Sequence, residues 1–190
     1  VLASASLARA RLLTDAGLAF EACPAAIDEL AVKRGAAGAG AAEIALRLAR
    51  LKAQAVPRPG ALVLGCDQIL VCGDTWFDKP ADLAAARTHL QALRGRVHSL
   101  ATAISAWRDG EEIWHHQASP RLTMRPFTDA FLDTYLAAEG SQILTSVGAY
   151  RLEGRGIQLF DAIEGEYAAI LGLPMLPLLA FLRSRELLPT

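Results

Sequence analysis

The chain has 190 residues, long enough for one large domain or two fused lobes, and at 53% hydrophobic and 21% charged it falls outside the disordered and fibrous classes. Nineteen basic residues against twenty acidic ones leave a formal charge of −1, so no global positive field favours long nucleic acid, and any phosphate chemistry must be local. Cys23, Cys66 and Cys72 form no CxxC pair and suit free thiols in a reducing, cytoplasmic setting. No apolar run reaches the roughly 20 residues of a membrane span. The start at Val1, directly in a strand-like run, suggests that an initiator methionine and a few residues precede it.

Val1 to Ala3 is expected to end a strand, and Ser4 to Ser6 to cap a helix with Ala8, Leu12 and Leu13 on its apolar side. That order exposes unpaired backbone N–H groups at the positive end of a helix, where phosphate is attracted, with Arg9 and Arg11 nearby. The glycine-rich segment 33–41 is expected to be a mobile loop that does not spell a Walker motif. A helix over 42–56 follows, with Lys52 in its last turns and Pro57 ending it. Residues 61–71 form an apolar strand interrupted by Asp67 and Gln68. A buried carboxylate there costs several kcal/mol unless a cation compensates it, so Asp67 demands an explanation. Cys66 beside it suits a small buried side chain better than a nucleophile.

A turn at Gly73-Asp74 leads to a return strand at Trp76-Phe77, and a loop through Lys79 leads to a helix over 82–93. Residues 97–107 and 112–116 pair as a hairpin about Asp109-Gly110, and 121–126 form a further strand. A helix over 128–138, a strand-loop region to Arg155, a strand at 157–160 and a helix over 175–187 complete an α/β chain with inserted hairpins. His115 and His116 point to opposite strand faces and make a poor zinc pair; His89 is expected to face solvent and His98 to pack internally. Trp76, Trp107 and Trp114 are expected to anchor packing.

The segments LASASLARARLL, Asp28-Glu29, LARLKAQ, LGCDQILVCG, DKPADLAAARTHLQALRGRVHSLATA and GAYRLEGRGIQLFDAIEGEYAAILGLP occur in an order that resembles the Maf family over nearly the whole chain. The resemblance implies a single Maf-like domain over 1–190: an elongated α/β fold akin to inosine-triphosphate pyrophosphatases, with a mixed central sheet flanked by helices and two lobes around a cleft. It implies hydrolysis of a nucleoside triphosphate to monophosphate and pyrophosphate with a divalent cation, Mg²⁺ or alternatively Mn²⁺ or Co²⁺. On this pattern Asp67 is the catalytic base and, with Glu29, a metal ligand, while Ser4, Ser6, Arg9, Lys52 and Lys79 hold phosphate. Each candidate has a bland alternative: a satisfied structural aspartate, a solvated loop acid, a surface cation.

Maf proteins preferring thymidine and uridine triphosphates carry an arginine where this chain has Ala8, a threonine in place of Gln68 and a glutamine in place of Glu153. Gln68 and Glu153 instead resemble the 7-methyl-GTP pyrophosphatase branch. A carboxylate accepts hydrogen bonds from the N1–H and N2–H₂ edge of guanine and favours a cationic methylated base; the alternative for Glu153 is a surface ion pair. Two other readings stay open: a nucleotide-responsive binding protein of septum formation, and a house-cleaning enzyme for dTTP, UTP or damaged nucleotides. A homodimer is compatible with the family.

Overall fold

The structure, a computed structural model, describes residues 1–35 and 38–189. Helices α1 (Leu7–Asp15), α2 (Glu29–Arg34) and α3 (Ala41–Gln54) precede strands β1 (Val63–Cys72) and β2 (Thr75–Phe77). Helix α4 (Leu83–Leu93), strands β3 (Val97–Arg108), β4 (Glu111–Ala118) and β5 (Arg121–Met124), and helix α5 (Asp129–Glu139) come next. Strand β6 (Phe160–Glu164) and helices α6 (Tyr167–Ile170) and α7 (Met175–Ser184) close the chain. The six strands form one sheet in the order β2-β1-β3-β5-β6, with β4 also paired to β3, so the fold is α/β as expected. The strand pairs β1–β2, β3–β4, β3–β5 and β5–β6 are antiparallel, while Leu2 makes parallel bridges to Ala22 and Leu64.

The residues group into two compact units, one of Val1–Gln68, Ala101–Ser119 and Glu166–Thr190, the other of Ile69–Leu100 and Pro120–Gly165. The first is built around Leu2, Leu13, Leu64, Cys66, Ile104, Leu173, Leu178 and Phe181, with Trp114 stacked on Phe181 at 4.7 Å. Fully burying each of these large apolar side chains contributes about 1.5–3 kcal/mol. The hairpin β3–β4 turns through Asp109 and Gly110, both at positive φ (52° and 88°), the geometry that the Asp-Gly pair predicts. Beside it, Arg50 makes a forked pair with Glu112, which also accepts from Ser105 Oγ at 2.7 Å.

In the second unit, Asp82 and Thr128 cap α4 and α5 by accepting from Ala85 N and Phe131 N, each standing one residue before its helix. His98 is buried, with Nε2 2.9 Å from the Tyr150 hydroxyl and both rings packed on Phe160.

Several expectations need correction. Lys33 and Arg34 lie in the last turn of α2 rather than in a loop, because Asp28 caps that helix through Ala31 N; Ala36 and Ala37 of the expected mobile loop lie outside the described residues. The expected strand at 157–160 starts only at Phe160. Before it Arg155–Leu159 is a 3-10 turn, held so tightly that a side chain on Gly156 would meet Arg151 O at 2.4 Å. The segments Gly140–Thr145 and Val147–Ala149 are likewise 3-10 turns, not extended chain. The last helix stops at Ser184, and Glu186 beyond it turns to φ 56°. His89 is not solvent-facing: its ring meets Phe77 edge-on at 5.2 Å, and its Nδ1 is buried.

Candidate active site

All the groups of this site described next belong to the first unit. In β1 alternate residues face opposite ways, so Gly65 and Asp67 share one face and Cys66 and Gln68 the other. Gly65 lets the backbone of α3 approach: a Cβ there would sit 1.9 Å from Ala49 O and 2.7 Å from Ala53 N. The close approach brings Lys52, one turn on, to the strand. Its Nζ donates to Asp67 Oδ1 at 2.6 Å and meets Glu29 Oε1 at 2.7 Å, so one ammonium is shared by two carboxylates.

Asp67 is 4% exposed and Lys52 8% exposed, a degree of burial that an ion pair of this kind needs good geometry to offset. Burial pushes the Asp67 carboxyl above its ordinary range, and the nearby Glu29 charge adds to that; Lys52 and Arg9 pull the other way without cancelling it. Asp67 Oδ2 is buried and, among the described residues, without a hydrogen-bond partner. A carboxylate oxygen in that state has unspent accepting capacity for a water or a cation.

The start of α1 supplies the second cluster. Ser6 caps the helix by accepting from Arg9 N at 3.4 Å, and Ser4 Oγ accepts from Ser6 N at 3.2 Å. The Arg9 side chain turns back under this cap and is 8% exposed. Its Nε donates to Gly172 O at 2.8 Å, and its Nη1 donates to Ser4 Oγ and Cys66 O, each at 3.1 Å. Three of the five guanidinium N–H groups are thereby used, and among the described residues Nη2 donates to none. Ala8, beside it, is half-buried. Cys66 is fully buried and its thiol is pushed up to about 11 by that burial, so it stays protonated and is no nucleophile.

Gln68 faces away from Asp67. Its Nε2 lies 2.8 Å from Thr102 Oγ1, 3.0 Å from Ala169 O and 3.1 Å from Ile170 O, so the side chain ties β1 to α6. Thr102, itself buried, donates to Ala169 O at 3.1 Å.

Lys79 and Glu153 belong to the second unit. Lys79 is exposed in the loop after β2. Glu153 is exposed and 3.4 Å from Arg151 Nε, while Arg151 Nη1 lies 3.9 Å from the largely buried Glu139 and also donates to Gln142.

The structure therefore brings together Ser4, Ser6 and Arg9 in one cluster and Glu29, Lys52 and Asp67 in another. Gly65, Thr102 and Gly172 were not among the sequence candidates. A lone glycine in an apolar strand is a signal of close backbone approach, and would have pointed to Gly65; Thr102 and Gly172 have no such signal. For a divalent cation, Asp67 Oδ2 and the Glu29 carboxylate form an all-oxygen pair suited to a hard ion, and the described residues hold no group of three or more His, Cys, Asp or Glu that would cage one. Mg²⁺ is commonly held in this way, by one or two carboxylates together with substrate phosphates and water. No helix among the described residues is long and apolar enough to cross a membrane.

The Maf-like protein family model matches residues 1–185. Over 99% of this chain and 98% of its own length, a nucleoside triphosphate pyrophosphatase of Granulibacter bethesdensis is 53% identical. A second protein of that name, from Paramagnetospirillum magneticum, is 52% identical over the full length of both. A 7-methyl-GTP pyrophosphatase of Rhizobium meliloti is 52% identical over 96% of this chain and 94% of its own. The sequence pattern, the α/β fold and these full-length matches agree: the chain belongs to the Maf family.

Proposed function

We propose that this chain is a cytoplasmic nucleoside triphosphate pyrophosphatase that hydrolyses the α–β phosphate bond to release nucleoside monophosphate and pyrophosphate, with 7-methyl-GTP as its preferred substrate. The observation that carries the reading is Asp67: a buried carboxylate with one oxygen on Lys52 at 2.6 Å and the other without a partner among the described residues. Asp67 takes the proton of a water as that water's oxygen bonds to phosphorus, the bridging P–O bond breaks, and pyrophosphate leaves with the bond's electrons. Burial holds that carboxyl above its ordinary range, which makes it a stronger base than a surface aspartate. Lys52 orients that carboxylate and offers positive charge where phosphoryl oxygens gather it.

Arg9 presents its Nη2 edge to phosphate, with the Ser4–Ser6 turn and the start of α1 providing the dipole behind it. Asp67 and Glu29 would hold Mg²⁺, which when bound supplies charge neutralisation on the phosphate chain. The roles of Lys79 as a further phosphate contact, and of Ala8, Gln68 and Glu153 in substrate choice, rest on the family resemblance. Glu153 keeps Oε2 without a hydrogen bond among the described residues, as a reader of the guanine edge requires. Gln68 acts through its hold on Ala169 and Ile170.

Pyrophosphate release from 7-methyl-GTP, GTP, UTP, dTTP, CTP and ITP in Mg²⁺ tests both levels, with Asp67→Asn as the blank. The expected result is 7-methyl-GTP leading, a silent Asp67→Asn, and a loss in Glu153→Gln confined to guanine nucleotides, about tenfold for one good carboxylate contact. Equal losses on 7-methyl-GTP and UTP remove Glu153 from base recognition. No cleavage of any nucleotide turns the reading towards a nucleotide-binding protein.

A further inference from the structure

We infer that Gly172 is a positioning residue for phosphate binding: its carbonyl and its missing side chain together hold the Arg9 guanidinium with Nη2 free for the substrate. The inference rests on the reading that Arg9 binds phosphate. Gly172 O accepts from Arg9 Nε at 2.8 Å across 163 residues of sequence. The same residue has φ +97°, a conformation that L side chains rarely adopt, and a Cβ built on it would lie 3.0 Å from Arg9 Nε and 3.2 Å from Nη2. Of these two crowded nitrogens, Nε is the donor to Gly172 O, and Nη2 is the one that the Ser4, Cys66 and Gly172 contacts leave unused.

A side chain at 172 would therefore push on the edge of the guanidinium that faces the ligand, while the strain at φ +97° would turn the carbonyl away from Nε. The turn that carries this carbonyl is held in place from behind. Gln68 Nε2 donates to Ala169 O and Ile170 O, Thr102 Oγ1 donates to Ala169 O, and Gly172 N closes the turn on Ala169 O at 3.1 Å. Gln68 and Thr102 thus set where Gly172 stands, and Gly172 sets where Arg9 points. An arginine with its Nε and one terminal nitrogen fixed by carbonyls has lost most of its rotamer freedom before phosphate arrives, which lowers the entropic cost of binding.

A double-mutant cycle on the full chain, read by calorimetric titration of inorganic tripolyphosphate in Mg²⁺ buffer, separates positioning from a merely structural role. Arg9→Lys, Gly172→Ala and the double variant are compared with the unaltered protein, each first checked for a cooperative thermal transition. Arg9→Lys is expected to weaken tripolyphosphate tenfold or more. Gly172→Ala is expected to weaken it comparably in the Arg9 background and less than twofold in the Arg9→Lys background. If Gly172→Ala does not fold, Gln68→Leu takes its place with the same expected pattern. Equal losses from the 172 or 68 change in both backgrounds overturn the positioning role while leaving Arg9 a phosphate ligand. No loss in Arg9→Lys overturns the phosphate role of Arg9 itself, and the inference with it.

Discussion

Replacing Gly65 by alanine tests whether the packing of α3 on β1 is what assembles the catalytic pair. The new Cβ would stand 1.9 Å from Ala49 O and 2.7 Å from Ala53 N, both backbone atoms that cannot rotate away. Reaching ordinary van der Waals contact needs about 1.5 Å more at Ala49 O, so helix and strand must separate by roughly an ångström or more. Lys52 lies between those two contacts along the helix. Moving with it, Nζ would shift from 2.6 Å to about 4 Å from Asp67 Oδ1, beyond hydrogen-bond range. Overpacking of this kind costs about 1–3 kcal/mol, and a buried carboxylate that loses its cation adds to that. Urea unfolding and kcat for the preferred nucleotide are the assays. Both are expected to fall, kcat by ten- to a hundredfold, with the loss of kcat exceeding that of an equally destabilising change remote from Lys52. A Gly65→Ala protein with unaltered midpoint and kcat would refute the reasoning outright.

The acid limb of the pH profile of kcat/KM should lie above the ordinary aspartate value of ~3.9, because Asp67 must be ionised to accept a proton and burial raises the pH at which it ionises. Activity then falls as pH drops through that raised value; a limb at or below ~3.9 counts against Asp67 as the base. His98 titrates at about 4 in the fold, lowered by burial from its unfolded value of 6.5. With the folded value depressed, the neutral form is the one the fold favours. Its contribution is complete above 6.5 and is lost as pH falls from 6.5 towards 4, to a limit of about 3 kcal/mol. Urea unfolding from pH 7.5 to 4.5 should show this slope and His98→Gln should lose that part of it; equal slopes in the two proteins would remove His98 as the cause.

What could be foreseen depended on whether a feature leaves a mark within a few residues. The serine-capped start of α1, the Asp109-Gly110 hairpin and the helix starts at Asp82 and Thr128 are local, and each appears within a residue or two of where it was expected. A carboxylate inside the apolar run 61–71 is a local contradiction, and the structure resolves it with Lys52. Helices of six and four residues, such as α2 and α6, are too short to show a period, and the 3-10 turns over 140–159 look extended to any count of apolar residues. Two of the three side-chain partners of Arg9 lie 57 and 163 residues away in sequence and are backbone carbonyls, which have no residue identity to recognise. Likewise the sharing of Lys52 between Glu29 and Asp67 depends on how closely α3 meets β1, a distance set by an absent side chain.

The two faces of β1 divide the work of the site, and that division bears on how one residue beside the catalytic acid can influence substrate handling. The face carrying Gly65 and Asp67 meets α3, and holds the carboxylate, its cation and Glu29. On the other face Cys66 joins the core with Leu173, Met175 and Leu178, and Gln68 ties down the carbonyls of Ala169 and Ile170. A substitution at 67 therefore acts on proton transfer. One at 68 acts first on the 169–172 turn and, through Gly172 O, on Arg9. The strand carries both effects with no side-chain contact between them, because adjacent residues in an extended chain cannot share a face. Substitutions at 67 and at 68 should then differ in kind: the first lowers kcat at saturating nucleotide, while the second raises KM through a displaced guanidinium and leaves the Lys52–Asp67 contact in place.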